Sequence, residues 1–423
     1  MAQLSDDCFA FGGKLLAVDE LESIIARRIA PVGETETVPL HRAIGRVAAQ
    51  DVTAPISLPP FDNSAVDGYA ARHADLTPDG ETRLRVAGRL QAGSAMARAL
   101  AAGEAIRIFT GAPMPPGADT VFMQEDVRMD GEAVIVPPGL KCGANRRLAG
   151  EDTRAGAVAL PAGRVIGSRH VALLAGLGLT QIAVRRRVRV AVFSTGNEVV
   201  EPGRARDGAG IFDANRYLLA GLIEQSGALA SDLGILRDEP ESLAAALKGA
   251  ARDHDLIVTS GGVSTGEADY VRDAVEKIGN LVFWRVAIKP GRPVALGVIA
   301  GGKGNDAAFV GLPGNPVAAY VTFARVLRPL ILRLAGAEPQ PLVPLPVRAA
   351  FAYKKKKDRR EYVRVALRRA ADGSVEAVKH PQDGAGVITS LTETDGLVEL
   401  PEDLTRVEPG TMVGFLPYAV IAK

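Results

Sequence analysis

The stretch LIVTSGGVSTGEADY (256–270), followed by AIKPGRP (287–293) and FVGLPGNP (309–316), decides the fold class. In each, an apolar run of strand character ends in a glycine- or proline-punctuated loop that carries polar groups. In an open parallel α/β sheet, ligands sit in the crevice beyond the carboxyl ends of the strands. Three such loops close in sequence therefore predict one shared site. Glycines let backbone N–H groups approach an anion, and a following helix start adds a favourable dipole worth roughly 0.3–1 kcal/mol per charge. The expected ligand is phosphorylated or otherwise anionic.

Upstream, RRRVRVAVFSTGNE (185–198) introduces a buried strand, and helix–strand alternation begins there. Strands are expected at 187–193, 229–236, 255–259, 281–288, 294–299 and 308–312, and helices at 214–226, 241–252, 268–278 and 315–334. That order, with apolar strands, predicts a parallel sheet covered on both faces. Between Val38 and Ile182 the helical signal thins and short β-like runs alternate with turn clusters such as SLPPFDNS, GAPMPPGAD and VPPGLKCGAN. Before them, Val18–Ala30 reads as an amphipathic helix with Leu21, Ile24, Ile25 and Ile29 on one face, ended by Pro31. Beyond Gly336 the proline-rich AEPQPLVPLP reads as a linker into a last β-rich unit ending near Pro417.

At 423 residues the chain predicts two to four domains. The expected class is a multidomain α/β plus β protein, with a parallel-sheet α/β domain, β-rich N-terminal domains and a C-terminal β domain. A hydrophobic fraction of 47% and a charged fraction of 23% are ordinary for a soluble globular protein. With a net charge of +1 no global field recruits nucleic acid or a membrane, so anion binding must be local. Two cysteines, Cys8 and Cys142, without a CxxC pair or a Cys/His cluster, argue against a disulfide framework or a closed zinc site. The N-terminus lacks an apolar signal core, and no run of about 18 apolar residues offers a membrane span. A reducing cytoplasm is expected.

Each polar constellation admits two readings. In STGNE (194–198) the strand-end turn Ser194–Thr195–Gly196 holds a phosphate while Glu198 serves as metal ligand or base; otherwise it is a βα turn with a solvated glutamate. Ser260, Gly261, Gly262 and Ser264 form an anion-receiving nest after a buried strand. Glu267 and Asp269 either complement a helix dipole or, with Glu198 and Asp238, hold Mg²⁺, which takes one or two carboxylates plus waters and phosphate oxygens. Lys289 and Arg292 flank a proline–glycine turn that projects cations toward the same crevice, or that is a plain surface turn. Asn315 is either a ligand contact or a helix N-cap. In the N-terminal half, FDNSAVDGYA (61–70), Thr110 at a strand end and NRRLAGED (145–152) are polar clusters that are not diagnostic singly. The run Lys354–Lys357 with Arg359 and Arg360 lacks interleaved stacking aromatics apart from Tyr353 and Tyr362, and reads as a solvated hairpin.

Taken together, FDNSAVDGYA, IFTGAPMPPGADTVFMQED, NRRLAGED, FSTGNE, TSGGVSTGEADY, AIKPGRP and GLPGNP resemble, in kind, order and spacing, the molybdopterin molybdenumtransferase family of the gephyrin E-domain type. The resemblance runs from about Leu15 to the C-terminus. It implies insertion of molybdenum, from molybdate as substrate, into the dithiolene of adenylylated molybdopterin with release of AMP and help from Mg²⁺. It also implies an elongated cytoplasmic homodimer whose site lies between the α/β domain of one subunit and the β-rich domain of the other, with the upstream adenylyltransferase as a further partner. The implied division is an N-terminal helix (1–30), β-rich domain I (31–50 and 140–182), β-rich domain II (51–139), α/β domain III (183–336) and β-rich domain IV (337–423). By motif, the functional acids and threonine are Asp67, Thr110, Glu198, Asp238 and Asp269, of which Glu198, Asp238 and Asp269 hold the metal.

The resemblance further assigns Lys289 and Arg292 to molybdate or substrate phosphates, Ser260–Ser264 to the nucleotide or pterin, and Arg147 to substrate. Arg292 stands where many members have lysine, which keeps the charge and changes the hydrogen-bond geometry. Asp383 in QDGAG (382–386) departs from the family's glycine–serine type of turn. Two alternatives remain: adenylyl transfer onto molybdopterin, against which the extra β-rich domains and the VDGYA and FTGAP motifs argue, and a non-catalytic molybdopterin-binding scaffold.

Overall fold

Val190 and Val192 project to one face of the strand Arg189–Thr195 and Ala191 and Phe193 to the other, and all four are fully buried. A strand apolar on both sides requires cover on both sides, which is how the sheet around it is built. The structure, a computed structural model, describes residues 16–206, 208–237, 239–262, 270–302 and 306–421, without the side chains of 282–284. Asp238, Ser264, Glu267 and Asp269 lie outside the described residues.

The central sheet runs in the order Leu229–Leu236, Arg189–Thr195, Leu256–Ser260, Asp306–Leu312, Pro293–Ala300, Gly279–Arg285. The first four strands are mutually parallel, Pro293–Ala300 runs against them, and Gly279–Arg285 pairs antiparallel to it, which corrects the expectation of a wholly parallel sheet. The reason is connection length. Only residues 286–292 and 301–305 link the last three strands, too few for a crossover, which takes a dozen or more residues. Helices Pro240–Asp253 and Tyr270–Ile278 cover one face through Leu243, Leu247, Val271 and Val275. Helix Asn215–Gln225 and the N-terminal helix Val18–Arg28 cover the other, with Leu21, Ile24, Ile25 and Ile29 buried as their spacing predicts.

The long last helix is α over Pro316–Thr322, widens to π over Phe323–Leu327 and is α again over Arg328–Leu334. Pro329 removes the N–H that would reach the Arg325 carbonyl, so the expected continuous helix opens by a turn.

In the N-terminal half, Thr35–Pro39 pairs with Gln181–Arg185, and Val52–Thr53 with Val158–Leu160. Their core includes Val38, Leu160, Leu174 and Val184. A nine-residue helix, Ser168–Gly176, lies within this stretch, too short for its apolar residues to set a period. The six-stranded sheet inserted between these pairs runs Thr120–Met123, Gly68–Ala71, Glu104–Ile108, Thr82–Leu90, Ala133–Val136, Arg128–Asp130. At the other end of the chain, Arg360–Arg369, Val375–Lys379, Leu345–Ala349, Met412–Pro417 and Gly396–Leu400 close into a barrel, because the last strand pairs back onto the first.

The barrel is tied to the α/β unit at several places. Ile288–Lys289 adds to the start of the strand Arg360–Arg369 as a short parallel strand. Arg325, almost fully buried, reaches Glu399 of the barrel and Glu22 of the N-terminal helix. The basic run is solvated in part, with Lys354, Lys356 and Lys357 exposed as expected, but it is not a hairpin, because Tyr353–Lys354 pairs with Arg406–Val407. Lys355 is buried and donates to the carbonyls of Pro401, Glu402 and Leu404, while Arg360 pairs with Glu402 and Asp19.

Candidate active site

Beyond the carboxyl ends of three parallel strands lies a crevice of about 280 Å³. Its back wall is polar and buried, made by Ser194, Thr195, Ser260 and Asn215. Asn215, the first residue of its helix, donates through Nδ2 to Ser260 Oγ at 2.8 Å and to the Gly314 carbonyl at 2.7 Å. One amide thus ties the TSGG turn to the LPGNP turn. Gly262 sits at φ +65°, and a Cβ there would lie 2.6 Å from methyls of Thr195 and Val271, so no other residue fits the turn. Asn315 lines the crevice at the N-cap position of Pro316–Thr322, with no side-chain hydrogen bond to the helix. The capping reading therefore does not account for it.

Glu198 lines the same crevice. A Cβ on Gly196, at φ +131°, would meet both Glu198 carboxylate oxygens at 2.9 Å, so the side chain folds back across the glycine. The rim that carries Glu198 is fixed from behind. Arg216, 2% exposed, donates Nε to Asp213 at 2.8 Å and reaches Asp232 and Glu201. Burial works against the Arg216 charge, and the three carboxylates outweigh it and raise its pKa. Asp213 is therefore already paired, whereas the exposed Glu198 carboxylate accepts no hydrogen bond from another described side chain. Among the described residues no group of three or more metal-ligating side chains forms. Glu198 alone of the three expected ligands is described. One such carboxylate at a polar crevice fits the donor set of Mg²⁺, which takes one or two carboxylates plus substrate oxygens.

Lys289 does not line this crevice. It lines a second hollow of about 220 Å³ with Tyr353, Arg364, His380 and Asp383. The two spaces adjoin through the 382–386 loop, since Ala385 lines one and Gly386 the other, and the Ala385 carbonyl accepts from Val317 N at 3.0 Å. Arg364, 6% exposed, holds that loop by donating to the carbonyls of Gln382 and Gly384 at 2.8 and 2.9 Å. Burial lowers its pKa, the mark of a guanidinium whose charge is not fully compensated. Asp383, the departure from the family turn, is neutralised by Lys379 at 2.8 Å. Burial pulls the Lys289 ammonium down, but Tyr353 and Glu361 outweigh it and raise its pKa, so it stays charged. Arg292 is exposed and lines neither space, contrary to the shared crevice expected for it.

The three N-terminal motifs, unremarkable singly, converge on one another. Asn63 and Ser64 pair with Arg147 and Arg146, and Asn63 bridges Pro113. Asp67 accepts from the Thr110 backbone N–H at 2.8 Å and from its hydroxyl at 2.7 Å. Those bonds, the backbone one first, hold the Asp67 carboxyl below the usual range. Arg147 pairs with Glu151 at 2.6 Å. Asp67, Thr110 and Arg147 line neither of the two spaces described above.

The chain has counterparts among known proteins. Family profiles described as "MoeA N-terminal region (domain I and II)", "Probable molybdopterin binding domain" and "MoeA C-terminal region (domain IV)" match residues 16–178, 191–333 and 346–418. The molybdopterin molybdenumtransferase of Haemophilus influenzae is 35% identical over 406 residues, spanning 96% of this chain and 99% of that protein. The chain belongs to this family. Molybdopterin molybdenumtransferase 2 of Mycobacterium tuberculosis is likewise 35% identical, over 94% of this chain and 98% of its own. The crystal structure of the molybdopterin biosynthesis MoeA protein from Pyrococcus horikoshii OT3 superposes with a TM-score of 0.79 at 28% identity, covering 96% of this chain and 100% of that one. As a member of the family, the protein is an enzyme, a transferase of molybdenum cofactor biosynthesis. Its fold, with N-terminal β units, a central α/β unit and a C-terminal β unit, is the family's.

Asn215, Arg216, Glu361 and Arg364 were missed in the sequence. The first two stand at a helix start after IFDA and read as ordinary helix polarity. The other two sit inside REYVRVALRR, whose alternation gives no sign that residues 361–365 are all buried.

Proposed function

We propose that the protein inserts molybdenum into adenylylated molybdopterin, with release of AMP and assistance from Mg²⁺, in the cytoplasm and as a homodimer. The observation that carries this reading is the pairing of two spaces across one loop. A polar, glycine-lined crevice suited to a phosphorylated ligand adjoins a hollow lined by the buried Arg364 and by Lys289, two cations. Ser194, Thr195, Gly196, Ser260, Gly261, Gly262 and Asn315 hold the phosphate-bearing substrate, and Arg364 with Lys289 holds molybdate as substrate. Arg292, exposed near this turn, supplies a further positive charge during approach.

Glu198, with Asp238 and Asp269, holds Mg²⁺, which when bound neutralises charge developing on the phosphoryl oxygens. Asn215 and Arg216 keep the crevice walls in place while this happens. Asp67, Thr110 and Arg147 complete the site from the second subunit; a two-chain site is supported by their lining neither space within one chain.

The test is AMP release from adenylylated molybdopterin with and without molybdate. Molybdate-dependent release that falls sharply in Arg364→Met and Glu198→Gln, with Tm nearly unchanged, is expected. ATP consumption in the absence of molybdate, with no AMP release from the pre-adenylylated pterin, would show an adenylyltransferase instead.

A further inference from the structure

The crevice is polar at its back and apolar at its lip. Val199, Ile211 and Phe212 line the lip, and Ile211 and Phe212 are 56% and 49% exposed, large apolar surfaces facing water beside a site otherwise walled by hydroxyls and amides. Exposed apolar surface next to a formed pocket marks a place where a ligand brings apolar area of its own.

The lip is held in place by hydrogen bonds. Val199–Val200 and Ile211–Phe212 pair as a two-residue parallel ribbon. Ile211 N donates to the Glu198 carbonyl at 2.7 Å, and Asp213 N to the Val200 carbonyl at 3.0 Å. Immediately after Phe212, Asp213 accepts from both the backbone N–H and the Nε of Arg216. The backbone that presents Phe212 is thus ordered without a ligand, so little further entropy is lost when one binds.

We propose that Ile211 and Phe212 form the platform on which the purine ring of the nucleotide rests while its phosphate sits at the TSGG turn. This rests on the proposed function, in which the substrate is adenylylated and its phosphate occupies the crevice. It adds a ring-recognition residue to that site. A flat aromatic face is tolerant of which ring edge it meets, so the platform supplies affinity while hydrogen bonds elsewhere supply discrimination.

The experiment is calorimetric titration of the full chain with AMP and, separately, with ribose 5-phosphate, in the wild type and in Phe212→Ala, Phe212→Leu and Phe212→Trp. Phe212 is half exposed, so its truncation leaves folding intact, checked by Tm. The expected result is that wild type binds AMP more tightly than ribose 5-phosphate. Phe212→Ala should weaken AMP by about ten-fold and leave ribose 5-phosphate unchanged, Phe212→Leu should fall between, and Phe212→Trp should restore AMP. Unchanged AMP affinity in Phe212→Ala overturns the proposal, as does a loss seen with a pterin monophosphate but not with AMP. If wild type binds neither phosphate, the phosphate reading of the crevice fails too; if it binds both equally, the ring platform alone fails.

Discussion

The Lys289 ammonium, carried by the α/β unit, lies 3.2 Å from Glu361 Oε2 in the first strand of the barrel, and that carboxylate is fully buried. Tyr353 OH donates to the same oxygen at 2.8 Å and Arg359 to the other at 2.6 Å. A buried carboxylate with three donors is therefore a joint between two units of the chain, and two of those donors, Lys289 and Tyr353, line the second hollow.

Glu361→Gln keeps the shape of that joint and removes its charge, leaving Lys289 and Arg359 without their counterion. Breaking one partner of a buried ion pair costs roughly 3–5 kcal/mol, and the half-exposed Lys289 places this case at the low end. Urea unfolding should show the loss. Burial pulls the Glu361 carboxyl upward, but Tyr353, Arg359 and Lys289 outweigh it and leave it depressed. Its contribution is therefore complete above the ordinary carboxylate range and lost as pH falls through the depressed folded value. Between those limits the wild type should lose stability with acid, and Glu361→Gln should lose less.

Thr110→Val removes the hydroxyl that donates to Asp67 and keeps the backbone N–H, the larger of the two influences on that carboxyl. The Asp67 pKa should therefore rise part of the way toward its ordinary value. Carboxyl carbon NMR titration reads this directly, and a full return to the ordinary value would show that the hydroxyl alone holds the shift.

Arg216→Met leaves Asp213, Asp232 and Glu201 facing one another with no cation between them. The Asp213 side chain is as deeply buried as that of Arg216, so the variant should lose roughly 3–5 kcal/mol at neutral pH and recover part of it in acid, as the carboxylates protonate. Equilibrium unfolding at two pH values checks the sign. Stability independent of pH in this variant would mean that the three acids do not repel one another.

The α/β unit was legible because its strands are buried on both faces and its helices carry spaced apolar residues. The strand 229–236 and the helices at 215–225 and 240–253 fall where the pattern puts them. The two antiparallel pairings were not, since periodicity reports burial and is silent on direction; the short links at 286–292 and 301–305 were the available clue. Glycines and hydroxyls of the STGNE, TSGG and GLPGNP turns were found because such residues at strand ends have few other uses. Arg364 and Glu361 escaped notice because a charged residue in a β-branched run reads as solvent-facing until the barrel closes over it.

Local chemistry alone thus determined the order of the units, the buried character of the central strands and the identity of the turns that line the crevice. What the chain's tertiary packing decided is which of those turns share a space. It set Lys289 beside Glu361 and Arg364, left Arg292 outside both hollows, and gathered 61–70, 106–113 and 145–152 at one corner. Residues far apart in sequence meet only through sheet pairing and domain contact, and the free energy that selects those contacts comes from surface buried jointly by both partners, which neither segment encodes by itself.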